Sequence, residues 1–279
     1  MIKNFLRELY YFFYDILISV RNFNKDKNFV IIFPRLISKF IKRVLIYDKI
    51  NKNFFLQNIR NKYDILTVFE IFAQESYVLN KLDQWEIINK KYLQIISNEK
   101  KPLFIDCGSN IGSSCEYFSR VFKNIYSILV EPNNISADFS KKNISNKNYT
   151  ILNYAISSEQ KIVQFDDTLE DNRSSNINPS SEKKIHTKTI DDILDNYNDF
   201  EPFIVKIDIE GYEKDLFKNN YDWINKFDVL IIEIHDWMIP SKSISFNFFN
   251  AITESMKNNF KRDIIISGEN LILVKNNDN

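Results

Sequence analysis

The chain has 279 residues, 44% hydrophobic and 27% charged, ordinary globular proportions that exclude a disordered or fibrous protein. Lys+Arg and Asp+Glu number 37 each, so no global positive field points to nucleic acid. Two cysteines cannot build a disulfide framework, which indicates a reducing compartment.

The first apolar segment, residues 9–20, is too short to span a membrane, carries Asp15 and has no small-residue cleavage site after it. Neither a transmembrane helix nor a secretory signal is expected, and the localisation read from this is cytoplasmic. Leu6, Leu9, Tyr10, Phe13, Ile16, Leu17 and Val20 form a helical stripe. Residues 1–50 carry a net charge of +6 and the remainder −6. A basic, aromatic-rich amphipathic helix suits packing on its own domain or on a second copy of the chain. The alternative is peripheral contact with the inner face of the membrane. Residues 51–100 read as further helices, with Ile65, Val68, Phe69 and Phe72 at helical spacing. The expected division is a basic, α-helical N-terminal extension over 1–64 and an α/β domain over 65–279.

Pro102 changes the pattern. Short apolar runs at 103–106, 127–131, 149–153, 203–208 and 228–234 read as strands, and 113–123, 134–145, 189–196 and 212–219 as helices between them. Strands alternating with helices indicate a parallel sheet covered on both faces. Residues 166–188, rich in Ser, Asn, Asp and Lys, read as a long loop or a hairpin insertion. Residues 264–267 and 271–275 flank Gly268-Glu269-Asn270 and read as a closing antiparallel hairpin, followed by a frayed tail over 276–279.

The chain holds only four glycines, and three of them (Gly108, Gly112, Gly211) lie in two motifs at strand ends. In residues 104–114, FIDCGSNIGSS, a strand ends in Asp106, turns through Gly108 and Gly112, and feeds a helix. Such a turn brings backbone N–H groups and a helix N-terminus close to a ligand. The D-x-G-x-N-x-G spacing lacks the third glycine of the dinucleotide fingerprint. Its leading carboxylate suits the cationic amino-acid end of S-adenosylmethionine better than a pyrophosphate. A plain strand-to-helix turn is the bland alternative. Glu131 ends the next strand 19 residues after Gly112, the place from which an acid hydrogen-bonds ribose hydroxyls.

The strand at 203–208 ends in Asp208, with Glu210, Gly211 and Glu213 behind it. Lys206 inside that strand needs an acidic partner if buried. Glu213 fits a solvated helix start, where the dipole favours negative charge. Asp208 does not, because it lies at the carboxyl end of the strand, where α/β folds place ligands. Glu233 and His235 are two apart on one strand and share a face, so beside Asp208 the imidazole becomes an acid–base candidate. His186 reads as structural. Cys107 and Cys115 have no His/Cys set near them, so neither zinc nor a catalytic thiol is expected. Asp208, Glu210, Glu233 and Asp236 offer oxygens that Mg²⁺ prefers, but no ligand motif supports them and no metal site is assigned. Trp237 suits a substrate mouth or the core equally.

Residues 104–114 together with LVEPN (129–133), TIDDIL (189–194), VKIDIEGYE (205–213) and IIEIH (231–235) resemble the FkbM-type family of S-adenosylmethionine-dependent methyltransferases. The likeness covers roughly residues 65–275. It implies the Rossmann-like class I methyltransferase fold, a seven-stranded, mostly parallel sheet with an antiparallel C-terminal strand. It implies S-adenosylmethionine as cofactor, held by Asp106, Gly108, Ser109, Asn110 and Gly112, with Glu131 on the ribose. Asp208, Glu210, Glu233 and His235 would form the mouth of the site. The activity implied is O-methylation of a sugar or glycan, or of a small natural product, with His235 or Asp208 as base and Glu233 or Asp236 orienting the imidazole. The alternatives are a catalytically inactive binding partner with the same fold and, less favoured, a nicotinamide-dependent oxidoreductase. Nucleic acid as a partner is disfavoured by the zero net charge.

Overall fold

The computed structural model describes residues 2–23, 25–32, 42–166, 176–177, 182–237, 241–257 and 261–276. The N-terminal stripe forms helix α1 (Ile2–Phe23), along which Tyr10, Phe13, Leu17 and Val20 are each more than half exposed. Among the described residues no helix is long and apolar enough to cross a membrane.

Residues 29–58 depart from the helical expectation. Strands β1 (Phe29–Ile32), β2 (Arg43–Asp48) and β3 (Asn53–Asn58) pair antiparallel in the order β1-β2-β3. In β2 the buried residues are Val44, Ile46 and Asp48, and in β3 they are Phe55 and Gln57, a period of two. Apolar neighbours on the outer face (Leu45, Phe54, Leu56) blur that alternation when the residues are read in a row. The inward side chains Phe29, Val44, Ile46 and Phe55 join the core cluster that contains Phe72, Tyr117 and Phe118. Phe29 meets the rings of Phe72 and Tyr117, each at 5.2 Å between centroids. The small sheet thus shares its core with the α/β domain. Helices α2 (Lys62–Val68), which runs on into a π-helical turn, and α3 (Trp85–Ser97) follow.

The central elements are β4 (Lys101–Cys107), α4 (Ser113–Val121), β5 (Tyr126–Val130), α5 (Asn134–Asn143) and β6 (Tyr149–Leu152). Then come β7 (Ala155–Ile156), β8 (Ile162–Asp166), β9 (Asn176–Ile177), β10 (Lys184–Lys188) and α6 (Ile190–Asp195). The chain continues through β11 (Phe200–Ile207), α7 (Glu213–Leu216), β12 (Val229–Glu233) and α8 (Ser245–Lys257) to β13 (Lys261–Ser267) and β14 (Asn270–Asn276).

Seven strands form the main sheet in the order β13-β14-β12-β11-β4-β5-β6. Strands β12, β11, β4, β5 and β6 are parallel neighbours, whereas β14 runs antiparallel to both β12 and β13. This is the class I methyltransferase sheet with its reversed last strand. Phe104, Ile204 and Ile231 point to the cluster shared with the N-terminal sheet. Leu103, Ile105, Val205 and Leu230 point to the other, with Phe217, Trp223 and Phe248. A sheet buried on both faces has apolar residues at successive positions, which is why these strands read as unbroken runs. The hairpin insertion is present in its described parts: β7, β10, β8 and β9 form a second small sheet in that order. Residues 167–175 and 178–181 of that stretch, and 277–279 of the tail, lie outside the described residues.

Candidate functional site

The carboxyl ends of β4, β5, β11 and β12 lie side by side, so the loops after them face one another. Gly112 has φ +78° at the start of α4, and a Cβ there would stand 2.9 Å from Cβ of Ser140. Gly108 also has φ +78°, and a Cβ on it would come within 1.8 Å of the Asp208 carbonyl oxygen. Only a residue without a side chain lets the β4 and β11 loops touch there. Asn110, at φ +47°, donates its backbone N–H to Glu131 Oε2 at 2.7 Å, and Asn133 N–H donates to Oε1 at 2.8 Å. Burial pushes the Glu131 carboxyl up to about 7, against the pull of those two N–H groups and of Arg60.

Arg60, in the turn after β3, organises this loop from a distance. Its guanidinium pairs with Asp64 (Nη2 to Oδ1 2.8 Å, Nε to Oδ2 2.9 Å) and donates to Asn110 Oδ1 at 2.9 Å and Ser136 Oγ at 2.8 Å. Ser140 Oγ donates to the Asn110 carbonyl at 2.9 Å. Asn110 is therefore held at both its side chain and its backbone.

The second half of the site is acidic. Asp106, fully buried, accepts a hydrogen bond from Ser114 and pairs with Lys206 at 3.3 Å. Lys206 sits beside Asp106 in the β4–β11 register and also reaches Asp208 Oδ2 and the Gly108 carbonyl, both at 3.2 Å. Burial alone would depress the Lys206 ammonium; the two aspartates override it and hold its pKa well above the usual lysine range. His235, 1% exposed, pairs through Nδ1 with Glu213 Oε1 at 2.8 Å. Its Nε2 faces Glu233 at 3.4 Å and Asp208 and Glu210 at 3.7 Å each. Burial opposes charge on the imidazole, but Glu213, Glu233 and Asp208 raise its pKa to about 11. Burial and the adjacent Asp208 carboxylate lift Glu210 to about 9.

A cavity of about 500 Å³ connects the two halves, lined by Ser109 and Glu131 on the β5 side and by Asp208, Glu233 and Trp237 on the β12 side. Gly108, Asn110, Glu210 and His235 also reach its wall, whereas Asp106 and Gly112, both buried, do not line it. Trp237 is exposed, in the wall and not in the core. Cys107 and Cys115 are buried free thiols, their pKa values pushed up by burial.

Two partners differ from the sequence reading. Asp236 does not orient the imidazole: its carboxylate accepts the N–H groups of Ile244 and Ser245 at the start of α8. Glu213, read as a solvated helix start, is fully buried and holds His235. Its only sequence signal was the third carboxylate at one helical turn from Glu210. Arg60 gave none, since 50 residues separate it from Asn110.

Residues 106–261 match the methyltransferase FkbM domain, more than half of the chain. The chain belongs to that family. It is 26% identical over 148 residues to hexuronic acid methyltransferase AglP of Haloferax volcanii, covering 51% of this chain and 59% of AglP. The matched part thus spans under two thirds of that relative. Among solved structures, a Staphylococcus aureus protein provisionally described as a caffeoyl-CoA O-methyltransferase aligns with 11% identity over 77% of this chain and 92% of that one, TM-score 0.41. The N-terminal domain of human METTL16, solved with SAH, aligns with 10% identity over 84% and 89%, TM-score 0.39.

Family membership brings S-adenosylmethionine as cofactor, and the residues present fit it. Ser109 Oγ, in the cavity wall, is buried without a hydrogen-bond partner. The loop around it exposes glycine backbone, and Glu131 faces the same space with acceptor lone pairs left for ribose hydroxyls.

Two outcomes are expected. The Glu131 carboxyl is raised from 4.5 to about 7 on folding, so its stabilising contribution is full below about 4.5 and lost as pH rises through about 7. Urea unfolding should show the wild type losing stability relative to Glu131→Gln across that window and running parallel to it outside; a pH-independent offset would refute the shift. Arg60→Ala should weaken S-adenosylhomocysteine binding about tenfold by calorimetry, the equivalent of one charge-assisted hydrogen bond. The loss should shrink in a Glu131→Gln background, because Arg60 acts on Glu131 through Asn110. Equal losses in both backgrounds would reduce Arg60 to a general stabilising role.

Proposed function

We propose that the protein transfers the methyl group of S-adenosylmethionine to a hydroxyl oxygen of a sugar, within a glycan or a small natural product. The observation that carries this reading is the continuous cavity from Ser109 and Glu131 to Asp208, Glu233 and Trp237. Carboxylates accept hydrogen bonds from several sugar hydroxyls at once, and the exposed Trp237 ring offers an apolar face for the C–H side of a pyranose. A relative named for acting on hexuronic acid supports a sugar acceptor.

The cofactor supplies a methyl group on a positively charged sulfur, already activated for displacement. The protein's task is to hold the acceptor oxygen in line with that carbon and to receive the hydroxyl proton. Asp208 fits the second role better than His235. It is a quarter exposed, lines the cavity between the two halves, and is held at Oδ2 by Lys206. His235 is nearly buried, with Nδ1 committed to Glu213 and Nε2 ringed by carboxylates. With the cofactor bound, the acceptor oxygen would take its methyl carbon, the carbon–sulfur pair would stay with sulfur, and Asp208 would receive the hydroxyl proton.

Radiolabelled methyl transfer to a panel of sugars, uronic acids and nucleotide sugars tests this. Asp208→Asn should lower kcat about 100-fold while S-adenosylhomocysteine affinity stays within about threefold of wild type. Undiminished turnover would place the base elsewhere. Cofactor binding without transfer to any hydroxyl would favour the inactive binding partner. For residues 1–50 the reading is an association surface, for an anionic membrane face or a second copy of the chain, because α1 leaves Phe13, Leu17 and Val20 exposed along it. Flotation with anionic liposomes, abolished by Leu17→Asp, would support the membrane; absence of flotation with a concentration-dependent dimer would support the second copy.

A further inference from the structure

His235 reaches the cavity wall, and its Nε2 stands among three carboxylates. Nδ1 is occupied by Glu213, a fully buried carboxylate. Nε2 instead faces Glu233 Oε1 at 3.4 Å, Asp208 Oδ1 at 3.7 Å and Glu210 Oε2 at 3.7 Å. All three separations exceed the usual N–H···O range of about 2.7–3.2 Å. They do match the spacing of neighbouring ligands around one ion: atoms each about 2.1 Å from a metal, at angles of about 110–120°, lie about 3.4–3.6 Å apart. One ligand atom each from Asp208, Glu233 and His235 falls within 4.8 Å of the others.

We propose that Asp208, Glu233 and His235, with Glu210 alongside, bind a divalent first-row transition ion such as Mn²⁺. The imidazole selects against Mg²⁺ and Ca²⁺, which take oxygen ligands, and the carboxylates select against soft Cu(I). Glu213 supplies what a metal-ligating histidine needs behind it, a carboxylate on the other ring nitrogen that fixes the tautomer and directs Nε2 outward. Four carboxylates surround one imidazole, and Lys206 neutralises Asp208 alone among them. A bound cation would add positive charge inside this ring of carboxylates. Its open positions would face the cavity, where two neighbouring hydroxyl oxygens of an acceptor complete the coordination. The use of the ion rests on the proposed methyl transfer; its binding rests on the geometry alone.

The full chain, stripped with chelator and dialysed, is titrated with Mn²⁺ by calorimetry and electron paramagnetic resonance, with and without S-adenosylhomocysteine. One Mn²⁺ per chain is expected, bound at least tenfold more tightly than Mg²⁺ or Ca²⁺, with a nitrogen coupling from His235 in pulsed spectra. Glu233→Gln should weaken Mn²⁺ at least tenfold while S-adenosylhomocysteine binding stays unchanged, and His235→Gln should remove the nitrogen signature. Glu269→Gln, at the cavity rim, should leave Mn²⁺ binding as in wild type. S-adenosylhomocysteine binding without stoichiometric Mn²⁺, or Mn²⁺ binding unaffected by Glu233→Gln, overturns the metal site and leaves the methyl-transfer reading standing. Mn²⁺ binding without S-adenosylhomocysteine binding does the reverse.

Discussion

A lysine buried between two aspartates sets the position of nearly everything at the mouth of the sheet. Lys206 is 3% exposed and Asp106 fully buried, so each charge is tolerable only because the other is present. Parallel pairing of β4 with β11 puts the two side by side, and the ammonium then reaches forward to Asp208 and to the Gly108 carbonyl. On the main-chain side, the missing Cβ of Gly108 lets the Asp208 carbonyl approach. Asp208 is thereby fixed from two directions, between the glycine loop and the acidic half of the cavity, and it belongs to both the proposed acceptor site and the proposed ion site.

The same constraint accounts for the acidity around it. Lys206 spends its charge inward, on Asp106 and Asp208, and leaves Glu210, Glu213 and Glu233 to His235. Burial of these carboxylates costs several kcal/mol per uncompensated charge, so a proton or a cation must accompany them. The raised pKa values of Glu210 and His235 are the protonic form of that requirement. An apolar packing of the same volume would fold at least as well, which makes such a cluster a candidate for acting on a ligand.

What could be read in the sequence was whatever is local and periodic. The five parallel strands, the glycine loop, Glu131, the acids after β11 and the closing hairpin all show as short apolar runs with a chemical residue at the carboxyl end. Lys206 announced a buried acidic partner because an unpaired ammonium inside a strand is untenable. The N-terminal sheet escaped because its period of two is overlaid by apolar residues on its outer face, Phe54 and Leu56 among them. Arg60 and Glu213 escaped for a different reason. Each is an ordinary surface residue type whose role exists only once the chain has folded against Asn110 or His235. Asp236, adjacent to His235 in the sequence, was drawn to it on proximity, yet its short side chain is taken by the free N–H groups that open α8.

Those long-range contacts bear on where the functional unit begins. The family match starts at Asp106, yet the loop that follows is not self-supporting. Arg60 holds the Asn110 side chain, Gln57 accepts from Ser113 Oγ at 2.8 Å, and Asn143 bonds both Ile111 and Asn58. Gln57 and Asn143 are buried, so breaking their bonds would leave polar groups with no water to turn to. A boundary drawn at residue 64 would cut through this network and through the aromatic contacts of Phe29 and Phe55. The β1–β3 sheet is therefore the outer wall of the glycine loop. Substitutions in it should act on the loop through Asn110 and Ser113 before they act on anything at the acceptor end.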